Sequence, residues 1–266
     1  MTAAIQKDPR IKAVAWRDLL ELPRWRAWGE LLISLPWLAA SLAFYQAGWL
    51  LAGATCSFFL FLTGLRQSHG AQHYNIGVPR LPQDILMGLL SGVMLTSMHA
   101  IQVTHLHHHR HCLGEEDIEA SVATWPAWKV IALGPLFPVM LHRHGWRLGR
   151  PWQRRWIASE LVLVVAVIAA AVVLDVPALR WHVAAMLVGE CLTGFFAVWT
   201  VHHGCDAEHH IARTQRGWVK NFLTYHMFFH VEHHLFPAVP TCRLPELAER
   251  IDVAAPELRE MQVLPH

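Results

Sequence analysis

Residues 31–65 form a run of 35 amino acids that contains neither a charged residue nor a histidine. At about 1.5 Å of rise per residue, a single helix of this length would extend about 52 Å, whereas the hydrocarbon core of a bilayer is about 30 Å thick. Two shorter spans joined by a turn near residues 46–48 therefore explain the run better than one long helix. So much uncharged apolar chain is the strongest constraint on the fold, because it needs a bilayer or a large protein interior to cover it.

A second pair of apolar segments, residues 156–176 and 181–201, follows in the other half of the chain, separated by a link that contains Asp175, Pro177 and Arg180. A soluble helical hairpin is the alternative. However, hydrophobic residues make up 54% of the chain and charged residues only 16%, too little polar surface to cover four apolar helices. We therefore predict an all-α membrane protein with four transmembrane helices in two hairpins, over about residues 31–47, 49–65, 156–176 and 181–201.

Two further apolar segments, residues 85–103 and 125–141, are predicted to be interfacial helices. A full span at 85–103 would place the histidines before it and those after it on opposite sides of the membrane. Binding of a common metal centre requires them on the same side. The segment 125–141 is interrupted by Gly134, Pro135 and Pro138. We therefore expect four crossings within a single domain over residues 1–266.

Basic residues give the expected orientation in the membrane. Arginine and lysine precede the first span and are dense between the two pairs, above all at residues 143–155, whereas the two predicted hairpin turns hold only Arg180. By the positive-inside rule, both termini and the histidine-rich central region lie in the cytoplasm, where the histidines form a cap. The N-terminal segment lacks the pattern of a cleavable signal peptide.

Charge and cysteine content exclude two other classes of protein. The formal net charge is only +2, which leaves no basic excess for binding nucleic acid. The five cysteines do not form the pattern of a disulfide framework.

Twenty histidines, as many as the aspartates and glutamates together, are concentrated in four short groups. On a helix, residues at positions i, i+3 and i+4 share a face, so His105, His108 and His109 can converge on one point. The same spacing recurs within residues 69–73 and 230–234, and a fourth group ends the last span at residues 202–203. Neutral imidazole is the commonest protein ligand for metals such as iron, zinc and copper.

The number of imidazoles favours two metals over one. Two, three and three from the spaced groups and one from the last span make nine, whereas a catalytic zinc needs only about three protein ligands. The sequence contains no H-E-x-x-H motif, which argues against a zinc hydrolase. His107 falls on the opposite face of its helix, and we interpret the isolated His99, His142, His144 and His182 as structural.

The sequence resembles the integral-membrane fatty acid desaturases and hydroxylases, the histidine-box diiron enzymes. The residues that carry the resemblance are HGAQH (69–73), HLHHHRHCLGEEDIE (105–119), IARTQRG (211–217), NFLTYH (221–226) and HVEHHLFPAVP (230–240). The resemblance implies two non-haem irons with O2 as co-substrate. It also implies a ligand set of His69, His73, His105, His108, His109, His202, His230, His233 and His234. His202 is preferred to His203 because the family places its ligand two residues before the glycine, here Gly204.

One position departs from the family pattern. Relatives often carry asparagine four residues before the ligand of the last span, and this chain has Val198 there. His226, four residues before His230 on the same helical face, is a candidate substitute ligand or supporting group, or else a structural histidine.

Carboxylates near the boxes are candidates for a second role. A ligating imidazole usually donates its other N–H group to a carboxylate or carbonyl, which sets its orientation. Asp117, Glu119, Glu232 and Asp206 are candidates for this role. Glu190, near the middle of the last predicted span, is either part of a substrate tunnel or a hydrogen-bonding group between helices.

The resemblance leads us to expect an O2-dependent oxidase of hydrocarbon chains, most simply a fatty acyl desaturase. A hydroxylase or ketolase of a lipid or carotenoid uses the same chemistry, and a metal transporter or a bis-histidine haem protein are alternatives from other classes. The chain has no dinucleotide-binding fingerprint and no C-x-x-C pair. Electrons are therefore expected from a separate ferredoxin, rubredoxin or b-type cytochrome with its reductase. The basic residues 143–155 are a candidate docking surface for such an acidic carrier, or simply a membrane anchor.

Overall fold

The computed structural model describes residues 3–263, and these contain helices but no β-strand; only Thr214 and Gln262 form an isolated bridge. The prediction of an all-α fold is confirmed. The α-helices are α1 (Ala4–Lys7), α2 (Pro9–Lys12), α3 (Arg24–Leu32), α4 (Leu35–Gln46), α5 (Leu50–Gln72), α6 (Arg80–Met94), α7 (Met98–His111), α8 (Ala127–Ala132), α9 (Leu136–Leu148), α10 (Pro151–Val173), α11 (Pro177–Thr193), α12 (Thr200–His202), α13 (Trp218–Leu223), α14 (His230–Leu235) and α15 (Leu244–Ala254). Short 3-10 helices lie at Arg17–Leu19, Glu119–Thr124, Thr241–Arg243 and Pro256–Arg259, and a π-helix at Gly194–Trp199 joins α11 to α12.

Four helical segments among the described residues are long and apolar enough to cross a membrane, the number predicted. They are Arg24–Gln46, Leu50–Gln72, Pro151–Val173 and Pro177–His202, with mean hydropathies of 1.4, 1.2, 2.5 and 1.6. Helix α4 packs against α5, and α10 against α11. Side chains such as Val162, Val165, Val172 and Val173 of α10 are exposed, as expected for a helix that faces lipid.

The segment 85–103, predicted to be one interfacial helix, consists of two helices in the structure. Helix α6 ends at Met94, α7 begins at Met98, and their axes differ by 111°. Leu95 has a left-handed backbone with a φ of 61°, which ends α6. Ser97 then caps α7 by accepting a hydrogen bond from the N–H group of Ala100. If this bent pair counts as one span, residues 3–263 contain up to five candidate spans.

The second predicted interfacial segment, residues 125–141, is also divided. Helix α8 ends at Ala132, and α9 begins at Leu136 and continues to Leu148. At the break, Gly134 lies so close to α11 that a Cβ atom there would be 1.9 Å from the carbonyl oxygen of Cys191. The break therefore allows the chain to approach α11 at a position that only glycine can occupy.

Three clusters of buried apolar side chains hold the helices together. One lies between the candidate spans and includes Leu60, Met87 and Met186. The second joins the N-terminal helices to α14 and α15. The third packs the Glu119–Thr124 turn, α8 and α9 against the π-helix. The histidine-bearing elements lie among these clusters.

Candidate metal centre

All nine histidines of the predicted ligand set come together in the structure. They are carried by the end of α5, by α7, by the end of α12 and by α14. Their candidate ligand atoms form two groups, and within each group all of these atoms lie within 4.8 Å of one another. One group has five members, His69, His73, His105, His109 and His233, and the other has four, His108, His202, His230 and His234.

The second box is shared between the two groups. Helix α7 places His105 and His109 in the five-histidine group and His108 in the four-histidine group. Helix α14 divides in the same way, with His233 in the first group and His230 and His234 in the second. Because neighbouring positions of the same two helices serve both groups, the two groups are adjacent.

The distances between ring nitrogens suit ligation of a common ion. In the five-histidine group, the Nε2 atom of His109 lies 3.1 Å from that of His105 and 2.9 Å from that of His233. In the four-histidine group, the Nε2 atom of His230 lies 3.0 Å from that of His202 and 3.2 Å from that of His234. Two nitrogens that bind one metal at about 2.1 Å and at right angles are about 3.0 Å apart.

Three of the imidazoles are oriented by a hydrogen-bond acceptor that faces Nδ1, the ring nitrogen that does not point into the cluster. The Nδ1 atom of His105 lies 2.9 Å from Oε1 of Glu119, and that of His108 lies 2.7 Å from Oδ2 of Asp117. The Nδ1 atom of His202 lies 2.9 Å from the carbonyl oxygen of Ile211. An N–H donor on each Nδ1 leaves Nε2 with its lone pair directed into the cluster, which is the tautomer a metal ligand requires.

Asp117 is itself held in place by backbone groups. Its Oδ2 atom accepts a hydrogen bond from the N–H group of Leu113 at 2.8 Å, and its Oδ1 atom accepts one from Ala120 at 3.0 Å. Burial alone would raise the pKa of Asp117, but the hydrogen bonds from His108 and the backbone outweigh it and lower that pKa below its usual value. The carboxylate is therefore ionised and acts as an acceptor for His108.

Burial keeps the imidazoles of α14 neutral. It lowers the pKa values of His230, His233 and His234 well below the usual value for histidine, and the charges of neighbouring histidines lower them further. A neutral imidazole keeps the lone pair that ligation needs. These side chains are therefore in the protonation state that favours metal binding.

Both histidines of the first box have a buried ring nitrogen without a hydrogen-bond partner among the described residues. The Nε2 atoms of His69 and His73 are buried and form no hydrogen bond there. An unsatisfied buried polar atom is costly, and a metal ion would satisfy both. The donor set is entirely imidazole, which suits iron, zinc, copper and nickel. The residues present therefore fit bound metal, and their division into two groups fits two ions.

Glu232 does not contact an imidazole, although the sequence suggested that it supports one. Its Oε2 atom accepts a hydrogen bond from the hydroxyl of Thr214 at 2.8 Å, and its Oε1 atom pairs with the guanidinium of Arg216 at 2.5 Å. Arg216 also pairs with Asp252 of α15 at 2.7 Å. Burial raises the pKa of Glu232, and the charge of Arg216 opposes that shift. Glu232 points away from the cluster because it follows His230 by only two residues on α14.

The segment at residues 211–217 connects the last two groups of histidines. The N–H group of Arg213 donates to the carbonyl of Val201 at 2.7 Å, and that of Val231 donates to the carbonyl of Arg213 at 3.2 Å. This segment is one of those that carry the resemblance to the family, but the sequence alone predicts no role for it. The structure shows that it holds the residues next to His202 and His230 in register.

Two other candidates from the sequence lie outside both groups in the structure. His226 lies outside both groups, because the backbone turns at Tyr225 and His226 with φ of 53° and 63°, and α14 begins only at His230. No continuous helix therefore places His226 on the face of His230. Asp206 accepts hydrogen bonds from the N–H groups of Glu208 and His209, and the imidazole it faces, 3.6 Å away, is that of His210, which belongs to neither group.

His203 and His107 also face away from the two groups. The Nδ1 atom of His203 lies 2.8 Å from the carbonyl oxygen of Ala123, and its ring stacks on Trp199. The ring of His107 stacks on that of His111. The alternation of adjacent histidines between inside and outside follows from helical geometry.

An apolar cavity of about 90 Å³ adjoins the imidazoles. Its lining includes the imidazoles of His69, His105, His230 and His233 and the apolar side chains of Phe137, Leu141, Phe196 and Val198. Val198 is only 2% exposed and brings no polar atom to the position where the resemblance leads us to expect asparagine. The π-helix Gly194–Trp199 contributes Phe196 and Val198 to the lining of this cavity, and π-helical turns are frequent at functional sites.

The fold and the site together define a class of protein: an all-helical chain with apolar helices of membrane-spanning length and a buried cluster of imidazoles suited to metal. A family model described as fatty acid desaturase matches residues 47–263. The chain therefore belongs to the fatty acid desaturase family, as its histidine boxes predicted. A search of curated proteins gives no match. Family membership indicates an integral membrane oxidoreductase that acts on fatty acyl chains.

Proposed function

We propose that this protein is an O2-dependent diiron oxidase that desaturates a fatty acyl chain. The observation that carries the proposal is the division of nine imidazoles into adjacent groups of five and four beside an apolar cavity. Each group has enough imidazoles to bind one metal ion, so the two groups together suit two ions. The proposed ligands are the nine histidines of these groups.

The protein's own residues hold and orient the centre. Glu119, Asp117 and the carbonyl of Ile211 fix the rings of His105, His108 and His202, and the surrounding apolar side chains exclude water. Bound iron would supply, with dioxygen and external electrons, the oxidising power needed to remove hydrogen from an unactivated methylene group. The apolar lining formed by Phe137, Leu141 and Phe196 holds the chain with one segment next to the imidazoles.

The proposed orientation places both termini and the metal centre on the cytoplasmic side, as the distribution of basic residues favours. An external ferredoxin, rubredoxin or b-type cytochrome supplies the electrons. The basic residues around 143–155 suit an acidic carrier of this kind.

Hydroxylation or ketolation of a lipid or carotenoid is the second candidate, and Val198 is the observation that favours it. At this position the lining of the cavity is apolar, where the resemblance leads us to expect asparagine. Metal transport is less favoured, because transport sites lie near the bilayer midplane on broken helices, whereas these imidazoles lie at the ends of α5 and α12.

Expression in a host that lacks desaturases, together with a reductase and electron carrier, tests the proposal. Mass spectrometry of total lipids should reveal a new double bond, and elemental analysis of the purified protein should find about two irons per chain. His108→Ala and His233→Ala should abolish the product, because each removes a ligand from a different group. His107→Ala, on the same helix as His108 but facing outward, is the matched control and should retain activity.

Each outcome has a defined meaning. A new oxygen in the product in place of a double bond favours the hydroxylase. Active protein without iron, or full activity in both ligand variants, refutes the diiron proposal.

A further inference from the structure

Glu190 lies on α11, near the middle of the candidate span Pro177–His202, and only 8% of its surface is exposed. Twelve residues separate it from His202, which corresponds to about 18 Å along a helix. A carboxyl group at this depth in a membrane is costly, and such groups commonly mark substrate pathways. The proposed diiron chemistry makes no use of it.

Glu190 lines a small cavity of about 30 Å³ that adjoins the one beside the imidazoles. The two cavities share six lining residues, namely Leu65, Ser68, Ile101, Phe137, Leu141 and Thr193. The combined space is therefore bordered by imidazoles at one end and by a carboxyl group at the other. A volume of this size holds about one water molecule or one hydroxyl group.

The described residues satisfy only part of the hydrogen-bonding capacity of this carboxyl group. Thr96 lies within hydrogen-bonding range of the carboxyl group of Glu190, and its hydroxyl also lies 3.5 Å from Nε2 of His142. The hydroxyls of Ser68 and Thr193 donate to carbonyls of their own helices, at Leu65 and Gly189. None of the described residues that line the small cavity is lysine or arginine. A carboxyl group can accept several hydrogen bonds, so Glu190 keeps free acceptor capacity towards the cavity.

We propose that Glu190 is a specificity-determining residue that accepts a hydrogen bond from a hydroxyl group at the end of the substrate remote from the attacked carbon. This inference rests on the proposed function, since it takes the cavity beside the imidazoles as the substrate site. A hydroxyl group fits better than an ammonium group, because burying a neutral group in hydrocarbon costs far less than burying a charge. The preferred substrate is thus an apolar chain with a terminal hydroxyl group rather than one that ends in a methyl group.

A site built to bind a hydroxyl group discriminates strongly against an analogue that lacks it, because the buried acceptor is then left unpaired. The test uses the full-length, iron-loaded protein in detergent, with dodecanol and dodecane as probes at equal mole fractions in the micelle. Apparent affinity is measured from the rise of the unfolding temperature, followed by tryptophan fluorescence. Dodecanol should bind about tenfold more tightly than dodecane, a difference of about 1.4 kcal/mol.

Glu190→Leu should remove this preference, whereas Glu190→Gln should retain it because the amide carbonyl still accepts a hydrogen bond. The matched control is Leu187→Val on the same helix, where the side chain is 45% exposed, lines neither cavity and should not affect binding of either probe. Equal binding of the two probes to the unmodified protein, or a preference that persists in Glu190→Leu, overturns the inference. If Glu190→Leu does not fold, Glu190→Met replaces it, and the comparison of probes on the unmodified protein remains decisive.

The iron content of the same preparations separates this inference from the proposed function. Protein that holds iron but does not distinguish the probes refutes only the role of Glu190. Protein that prefers dodecanol but binds no iron refutes the diiron proposal and leaves a hydroxyl-binding site.

Discussion

Replacing Asp117 by asparagine tests whether the carboxylates behind the imidazoles set the affinity for metal. Asp117 is 4% exposed, and one of its oxygens accepts hydrogen bonds from both His108 and the N–H group of Leu113. Its other oxygen accepts from the N–H group of Ala120. All the groups around this side chain are donors, and asparagine has only one acceptor oxygen. In either orientation of the asparagine amide, its NH2 group must therefore face a hydrogen-bond donor.

The expected loss follows from the position of Asp117 directly behind His108. Outer partners of metal-bound imidazoles typically contribute 10- to 100-fold to metal affinity, which corresponds to about 1.4–2.7 kcal/mol. The four-histidine group contains His108 and should weaken, whereas the five-histidine group should keep its affinity. We therefore expect Asp117→Asn to lose about one iron of two when it competes with a chelator.

The assay is a chelator titration with iron measured by elemental analysis, and activity measured on the same samples. Glu115→Gln is the matched control, because Glu115 is two residues away, is exposed and belongs to none of the described groups that could hold a metal ion. The reasoning is refuted if Asp117→Asn holds both irons as tightly as the unmodified protein, or if the control loses iron to the same extent.

Three other substitutions test the fold and the limits of the site. Arg216→Met should lower the free energy of unfolding by about 3–5 kcal/mol, because it leaves the fully buried carboxylate of Glu232 unpaired; a thermal melt within a degree of the unmodified protein would contradict this. Gly134→Ala should cost about 1–3 kcal/mol or prevent folding, because its Cβ atom would overlap the carbonyl oxygen of Cys191, and unchanged thermal unfolding would show that the helices can separate. His226→Ala should leave the iron content unchanged, since His226 lies outside both groups; loss of iron on elemental analysis would restore it as a ligand.

Much of the fold follows from local patterns in the sequence. The long apolar runs predict helices of membrane-spanning length, and the structure has four of them among its described residues. The spacing of His105, His108 and His109 predicts that they share a helical face, and α7 carries them in this way. Both signals depend on helical periodicity, which needs no knowledge of distant residues.

Local patterns fail where the backbone leaves the helix. His226 was expected on the face of His230, but the positive φ values at Tyr225 and His226 break the helix between them. The bend at Leu95 was also missed, because leucine at a left-handed position leaves no signal comparable to glycine. Gly134 was recognised as a break, yet its contact with Cys191 depends on a helix more than fifty residues away.

The sequence by itself determined that this chain is helical and rich in membrane-spanning segments, that it belongs to the fatty acid desaturase family, and which nine imidazoles to examine. Only the tertiary structure decided how those imidazoles divide into groups of five and four, that Glu232 pairs with Arg216, and that Glu190 lines a small cavity next to the one beside the imidazoles. The physical reason is that spacing along a helix specifies which side chains share a face. Which faces then meet depends on the packing of helices that are far apart in the chain.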